Sequence, residues 1–154
     1  MSNQKVLEKN LWKWLSACKG PWVHINRIEN VLDKGTPDVE GWVSSVGNAL
    51  RTGFQIELKT CERPVRRNTK LTVKIELEQV EFLEDRSAVG GVCYVLLQVG
   101  SGADAGRYLI PGAYARGLLN RRYTEADLRK LVNHLSSITP QGVLEHILND
   151  GCGT

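Results

Sequence analysis

From Asn3 to Lys19 apolar residues recur at three- and four-residue intervals (Leu7, Leu11, Trp14, Leu15, Cys18), the period of an amphipathic helix, which Gly20-Pro21 ends. Trp22 to Ile28 (WVHINRI) alternates Trp22, His24, Asn26 and Ile28 against Val23, Ile25 and Arg27 and reads as a strand. Asp33-Lys34-Gly35-Thr36-Pro37 is turn chemistry. Val39 to Val46 predicts a second strand, Gly47-Asn48 a turn, and Gly53 to Thr60 (GFQIELKT) a third strand. Cys61 to Lys74 is basic and polar with one proline, which predicts a mobile crossing loop. A second helix starts at about Ile75 or Leu77, carries Leu77, Val80, Phe82 and Leu83, and runs to Ala88 before Gly90-Gly91 stops it. Val92 to Val99 is a continuous apolar run, as in a strand buried on both faces.

Beyond a Gly-rich turn, Arg107 to Ile110 predicts a short edge strand closed by Pro111-Gly112. Thr124 and Asp127 form a capping-box pattern, with Asp where Glu is usual, at the head of a helix through Leu128, Leu131, Val132 and Leu135. Thr139-Pro140 begins a last short helix with Val143, Leu144, Ile147 and Leu148. No repeat or low-complexity segment interrupts this order. A helix crossing between strands requires at least one parallel pair, so the expected class is α/β. The length of 154 residues suits one domain, 1–154, able to bury a continuous core without a metal or disulfide staple.

The net charge of +3 is by itself a weak pointer to a polyanionic partner. Its distribution says more. Between Lys59 and Lys74, six cations stand against Glu62, a local net of +5, so the remainder sums to −2. A positive strip on a near-neutral body suits phosphates, although a solvated loop has the same composition. Cys18, Cys61, Cys93 and Cys152 stand far apart without metal-ligand spacing, which argues against structural zinc. The first residues lack the form of a secretory signal, and no stretch approaches the length of a membrane span. A reducing, cytoplasmic compartment with free thiols is expected.

The candidate chemistry lies where the strands begin and end. Gly35-Thr36-Pro37-Asp38-Val39 puts a carboxylate at the mouth of the second strand, and Ile56-Glu57-Leu58-Lys59 puts Glu57 and Lys59 on one face of the third. An antiparallel hairpin would bring Asp38 beside Glu57. Mg²⁺ takes one or two protein carboxylates and keeps waters and phosphate oxygens in its other positions. Asp38, Glu57 and a backbone carbonyl such as that of Leu58 fit that demand, and Lys59 can orient a water and stabilise an attacked phosphate. Taken singly, E-x-K on a strand and P-D at a turn carry almost no signal; the inference rests on both falling in the right elements.

An early helix carrying Glu8, a strand ending near Arg27, G-T-P-D-V at 35–39, I-E-L-K at 56–59 and a helix carrying Gln79 before a buried strand together resemble the PD-(D/E)xK nuclease core. In particular the chain is similar to archaeal-type Holliday-junction resolvases and to the VRR-NUC domain often found alone in phage proteins. The resemblance covers about residues 4–100. It implies a restriction-endonuclease-like fold, a mixed central sheet flanked by helices (αβββαβ), with residues from about 101 to 154 as a small C-terminal helical extension. It also implies metal ligation by Asp38 and Glu57, a catalytic Lys59, a first-helix carboxylate Glu8 that reaches the metal directly or through water, and Gln79 next to the site. Glu29 rivals Glu8 as the extra carboxylate. The implied cofactor is Mg²⁺, with Mn²⁺ substituting, and the implied substrate is branched DNA cut by a homodimer, since a four-way junction needs two symmetric cuts.

Other readings stand beside these. Glu8 can be an ordinary helix-surface glutamate, Glu29 solvated or structural, and Gln79 a surface residue of a Glu-rich helix. Arg27 contacts a phosphate or pairs with Glu29. Arg63, Arg66, Arg67 and Lys70, just past the catalytic strand, are read as gripping a DNA backbone. Trp12, Trp14, Trp22 and Trp42 are read as core rather than as base-stacking residues, and His24, His134 and His146 as satisfied or surface histidines. Beside the structure-specific endonuclease stand a restriction or homing endonuclease on the same core, and a nucleic-acid-binding module whose acids are incidental.

Overall fold

The computed structural model describes residues 3–17, 22–28, 35–45, 50–132 and 139–151. The third strand, β3, organises it. Apolar side chains at every second position let β3 (Arg51–Cys61) bury one face, and its final residues are buried on both. It lies at the centre of a five-stranded sheet in the order β1-β2-β3-β4-β5, with β1 at Val23–Arg27, β2 at Val39–Ser44, β4 at Cys93–Val99 and β5 at Gly106–Pro111. β1, β2 and β3 form an antiparallel meander, β3 and β4 are parallel, and β5 returns antiparallel to β4. The parallel pair exists because a helix, α2 (Leu77–Ala88), crosses between its strands. Every residue of β4 is buried, as its unbroken apolar run predicted.

Two apolar layers sandwich the sheet. On one face α1 (Asn3–Ser16) and α5 (Pro140–Gly151) pack Leu11, Leu15, Val143 and Ile147 on Ile56, Leu58, Tyr94 and Leu96. On the other, α2, α3 (Ala115–Leu119) and α4 (Glu125–Val132) pack Val80, Leu83, Leu118 and Leu128 on Val95, Leu97, Tyr108 and Ile110. The expected mixed sheet flanked by helices, in the order αβββαβ, is therefore present. Among the described residues no helix is long and apolar enough to cross a membrane.

Local signals explain the helix ends. α2 stops in a Schellman turn: Gly90, at φ +88°, donates to the Ser87 carbonyl at 3.1 Å, and Gly91 to that of Arg86 at 2.8 Å. α4 opens with the predicted reciprocal cap, in which the Asp127 N–H reaches Thr124 Oγ1 at 3.1 Å and the Thr124 N–H reaches Asp127 Oδ2 at 2.9 Å. The Thr139 side chain caps α5 through the Gly142 N–H.

Two expectations are corrected, and a third, the edge strand expected at Arg107–Ile110, is present. Residues beyond 101 are no appendage: β5 completes the sheet, α5 shares the layer of α1, and the Tyr94 hydroxyl hydrogen-bonds Asp150. The crossing loop expected over Cys61–Lys74 has no helix or strand after Cys61, but its second half is anchored to the body: Leu71 and Val73 are buried, as is Ile75 after them, and the Leu71 N–H donates to the Tyr123 carbonyl at 2.8 Å. β5 is an edge strand, yet Tyr108, Leu109 and Ile110 are wholly buried, since helices cover both of its faces. Gly20-Pro21, Gly47-Asn48, Leu135, His134, Glu29, Cys18 and Cys152 lie outside the described residues; Cys61 and Cys93 are buried and free.

Candidate active site

Glu57 and Lys59 extend from β3 toward the α2 layer, while Ile56 and Leu58 enter the α1–α5 layer. Both charged side chains are buried, at 1% and 7% exposure. Asp38 precedes β2, one step beyond the Val39–Ile56 pair, so the antiparallel register sets it opposite Glu57. Two backbone contacts fix it. Its carbonyl accepts the Ile28 N–H at 2.6 Å, and its Oδ2 accepts the Leu58 N–H at 2.9 Å. In an extended strand the C=O of a residue points to the same side as its N–H, so the Leu58 carbonyl also faces Asp38.

The Glu57 carboxylate is held at one oxygen only. Oε1 accepts Gln79 Nε2 at 2.6 Å and lies 3.2 Å from Lys59 Nζ. Oε2 is buried with no hydrogen-bond partner. Burial, then the neighbouring Asp38 charge, pushes the Glu57 carboxyl up to about 8, against the opposing pull of Lys59. Gln79 cannot turn over: its Oε1 accepts the Glu76 N–H at 2.9 Å at the head of α2, which leaves its amide N–H groups for Glu57.

This donor set fits a hard divalent cation. An orphaned carboxylate oxygen in the interior is costly, and a cation beside Glu57 Oε2 and Asp38 would offset both the lost solvation and the repulsion between the acids. Among the described residues no third His, Cys, Asp or Glu side chain gathers with them. Two carboxylates and a carbonyl, with positions left for water and phosphate, match Mg²⁺.

The remaining predicted residues are scattered. Glu8 is half-buried on α1, whose core residues Leu11 and Leu15 sit on the opposite sheet face. Arg27 is exposed at the end of β1 opposite Val39, and so on the side of the sheet away from Glu57. Arg63 and Lys70 are engaged by the body of the protein. The Arg63 guanidinium grips both oxygens of Glu125 at 2.8 and 3.0 Å and also donates to the Asp104 and Val99 carbonyls. Lys70 donates to the Arg122 carbonyl at 2.9 Å and sits 3.5 Å from Asp127. Arg66 and Arg67 are exposed and, with Arg129, line a hollow between the loop and α4. No local pattern announces the Glu125 tie, because its partner lies 62 residues away.

The tryptophans divide. Trp12 and Trp14 pack against the core as expected, whereas Trp22 and Trp42 are 44% and 62% exposed. The core expectation fails for that second pair because β1 and β2 extend beyond the helices of the α2 layer.

No family model and no curated protein matches the chain. Among solved structures, one that is similar is Hjc, a Holliday junction resolvase from the archaeal hyperthermophile Archaeoglobus fulgidus: it is 22% identical, with a TM-score of 0.41, and the match covers 72% of this chain and 74% of that one.

Proposed function

We propose that the chain is a divalent-metal-dependent endonuclease of the PD-(D/E)xK type that hydrolyses phosphodiester bonds in DNA, acting on branched DNA as a homodimer. The observation that carries this reading is the buried, partnerless Glu57 Oε2 beside Asp38, with Lys59 Nζ 3.2 Å from the other carboxylate oxygen. Asp38, Glu57 and the Leu58 carbonyl would hold Mg²⁺ or Mn²⁺. When bound, such an ion supplies Lewis acidity that makes water a better nucleophile and offsets charge on the phosphoryl oxygens.

The protein's own groups do the rest. Lys59, buried and directed at Glu57, keeps a fixed ammonium where it can orient the attacking water and stabilise the phosphate under attack. Gln79 holds Glu57 Oε1, so that Oε2 stays turned toward the site, which makes Gln79 a positioning residue. Asp38 is kept in place by the Leu58 N–H and leaves its second oxygen for the ion. One centre per chain cuts one strand, so two symmetric cuts call for a pair of chains.

The test is cleavage of a four-way junction and a linear duplex in Mg²⁺, beside Lys59→Ala and Asp38→Ala. Expected are nicks in the junction in preference to the duplex, none in chelator, and none from either variant, with both variants still folded and still binding DNA. Equal cleavage by Lys59→Ala would sink the catalytic assignment. Discrete fragments from linear DNA would move the substrate to a sequence-specific site, and absence of any metal-dependent cleavage would leave only a binding module.

A further inference from the structure

The sheet face that carries Glu57 continues past the candidate centre as open surface. Register sets Glu40 opposite Gln55 and Trp42 opposite Gly53, with Asn26 and His24 as the next partners on β1. By the alternation of the pleat, these side chains share the face of Glu57. The α2 helix covers that face over β3 and β4. Between its last turn and β2 lies a cleft of about 420 Å³ lined by His24, Asn26, Glu40, Trp42, Gln55 and Arg86.

Trp42 is the largest apolar group there, and 62% of it is exposed. Its indole lies over Gly53: a Cβ at that position would stand 3.0 Å from two ring atoms and 3.3 Å from a third. Glycine therefore lets the ring rest on the strand with its other π-face open to solvent. Arg51 borders the same indole from the far side. The surroundings are amide, imidazole and guanidinium groups in which Arg51 and Arg86 outnumber the one carboxylate, Glu40, a balance that suits a polyanion with splayed bases better than an apolar protein segment.

We infer that Trp42, seated on Gly53, is a stacking platform for an unpaired base of a DNA strand whose backbone passes the Asp38–Glu57–Lys59 centre. This rests on the nuclease reading of that centre and adds the feature of the substrate that is recognised. Glu57 lies four positions along β3 from Gly53, roughly 13 Å at the rise of a strand, so the stacked base belongs to a nucleotide a few steps from the phosphate at the centre. Bases inside a linear duplex are not available to such a ring, whereas a branch point with unpaired nucleotides offers them at no cost of flipping.

The full chain, with Ca²⁺ replacing Mg²⁺ to hold back cleavage, is titrated with a four-way junction carrying unpaired thymines at the branch point and with a linear duplex of the same length. Trp42→Ala is expected to weaken binding of the unpaired junction by about tenfold, with duplex binding and the thermal melt close to wild type. Trp42→Phe should restore most of the affinity, and Gly53→Ala, whose Cβ makes the indole give by a few tenths of an ångström, should lower it. The junction should quench tryptophan emission in the wild type and much less in Trp42→Phe. Unchanged junction affinity in folded Trp42→Ala would overturn the inference, as would a change in sedimentation without a change in DNA affinity, which would mean that a second copy of the chain covers the ring. If the wild type cuts junctions in Mg²⁺ while Trp42→Ala binds like wild type, the inference alone falls. If the wild type neither binds nor cuts any DNA, the nuclease reading falls and takes the inference with it.

Discussion

Gln79 and Glu57 are 22 residues apart in the chain, and the Gln79 amide donates to Glu57 Oε1 at 2.6 Å while its own carbonyl oxygen caps the start of α2. One side chain thus couples helix geometry to carboxylate orientation. Gln79→Ala removes the cap, worth about 1 kcal/mol, and releases Glu57 to turn. Groups that orient a ligand in this way typically contribute about 10- to 100-fold in metal affinity. We expect a modest loss of stability in urea and a Mn²⁺ affinity lower by that factor in calorimetry, and unchanged affinity would remove Gln79 from the site.

Glu57 suffers from its position until something meets Oε2. Replacing it with glutamine keeps an oxygen for the Gln79 amide and removes a carboxyl whose ionisation beside Asp38 is disfavoured, and with it the cost of taking up a proton at neutral pH that the value of about 8 reports. Metal-free Glu57→Gln should therefore melt at or above the wild-type temperature near neutral pH, the reverse of the usual effect of altering a buried residue. Mn²⁺ should raise the wild-type melting temperature, by an amount equivalent to about 2.7 kcal/mol at a hundred times its dissociation constant, and leave that of the variant unmoved. A metal-free variant less stable than wild type would show that the Glu57 charge is supported by the fold itself.

Much of this centre was legible because its parts are local. Strand alternation fixes Glu57 and Lys59 on one face, and the hairpin register carries Asp38 across to them. What escaped was non-local or broke a local rule. α3 contains Gly117, a poor helix former, at a point where a Cβ would stand only 2.3 Å from the Tyr123 ring. Its C-terminal turn is a Schellman closure, with the Arg122 N–H on the Gly117 carbonyl at 2.9 Å, yet the residue at positive φ is Arg121 rather than glycine. Neither residue announces a helix. The exposure of Trp42 depends on where the helices of the α2 layer stop, which no strand pattern records.

Glu125 gathers Arg63, Tyr108 and Arg129 at the junction of β3, β5 and α4. Its hydrogen bond to Arg63 comes first among the causes that hold its carboxyl below the ordinary value of 4.5. A carboxyl depressed in the folded state adds stability that is fully present above 4.5, its value in the unfolded chain, and lost as pH falls through the lower folded value. Glu125→Gln should destabilise the protein at pH 7 by about 1–3 kcal/mol, since it leaves Arg63 without its charged partner, and should flatten the acid limb of stability against pH. Urea titrations between pH 7 and pH 3 measure both effects, and parallel acid limbs in the two proteins would contradict this account of Glu125.

The basic strip divides by the same contacts. Arg63 and Lys70 are bound to Glu125, Asp127 and backbone carbonyls of the body, so their charges are already engaged. Arg66 and Arg67 are exposed beside the hollow next to α4, where their guanidinium groups can meet phosphates. The two pairs should therefore separate in experiment. Arg66→Ala with Arg67→Ala should leave urea stability within about 0.5 kcal/mol of wild type and lower DNA affinity more at low salt than at high. If both residues contact phosphates, the slope of log affinity against log salt becomes shallower by about 1.8, at roughly 0.9 per phosphate on duplex DNA. Arg63→Ala should do the opposite, with a clear loss of stability and a salt slope close to wild type. A steeper loss of DNA affinity from Arg63→Ala than from the double variant would return Arg63 to the DNA interface and show that its grip on Glu125 yields to phosphate.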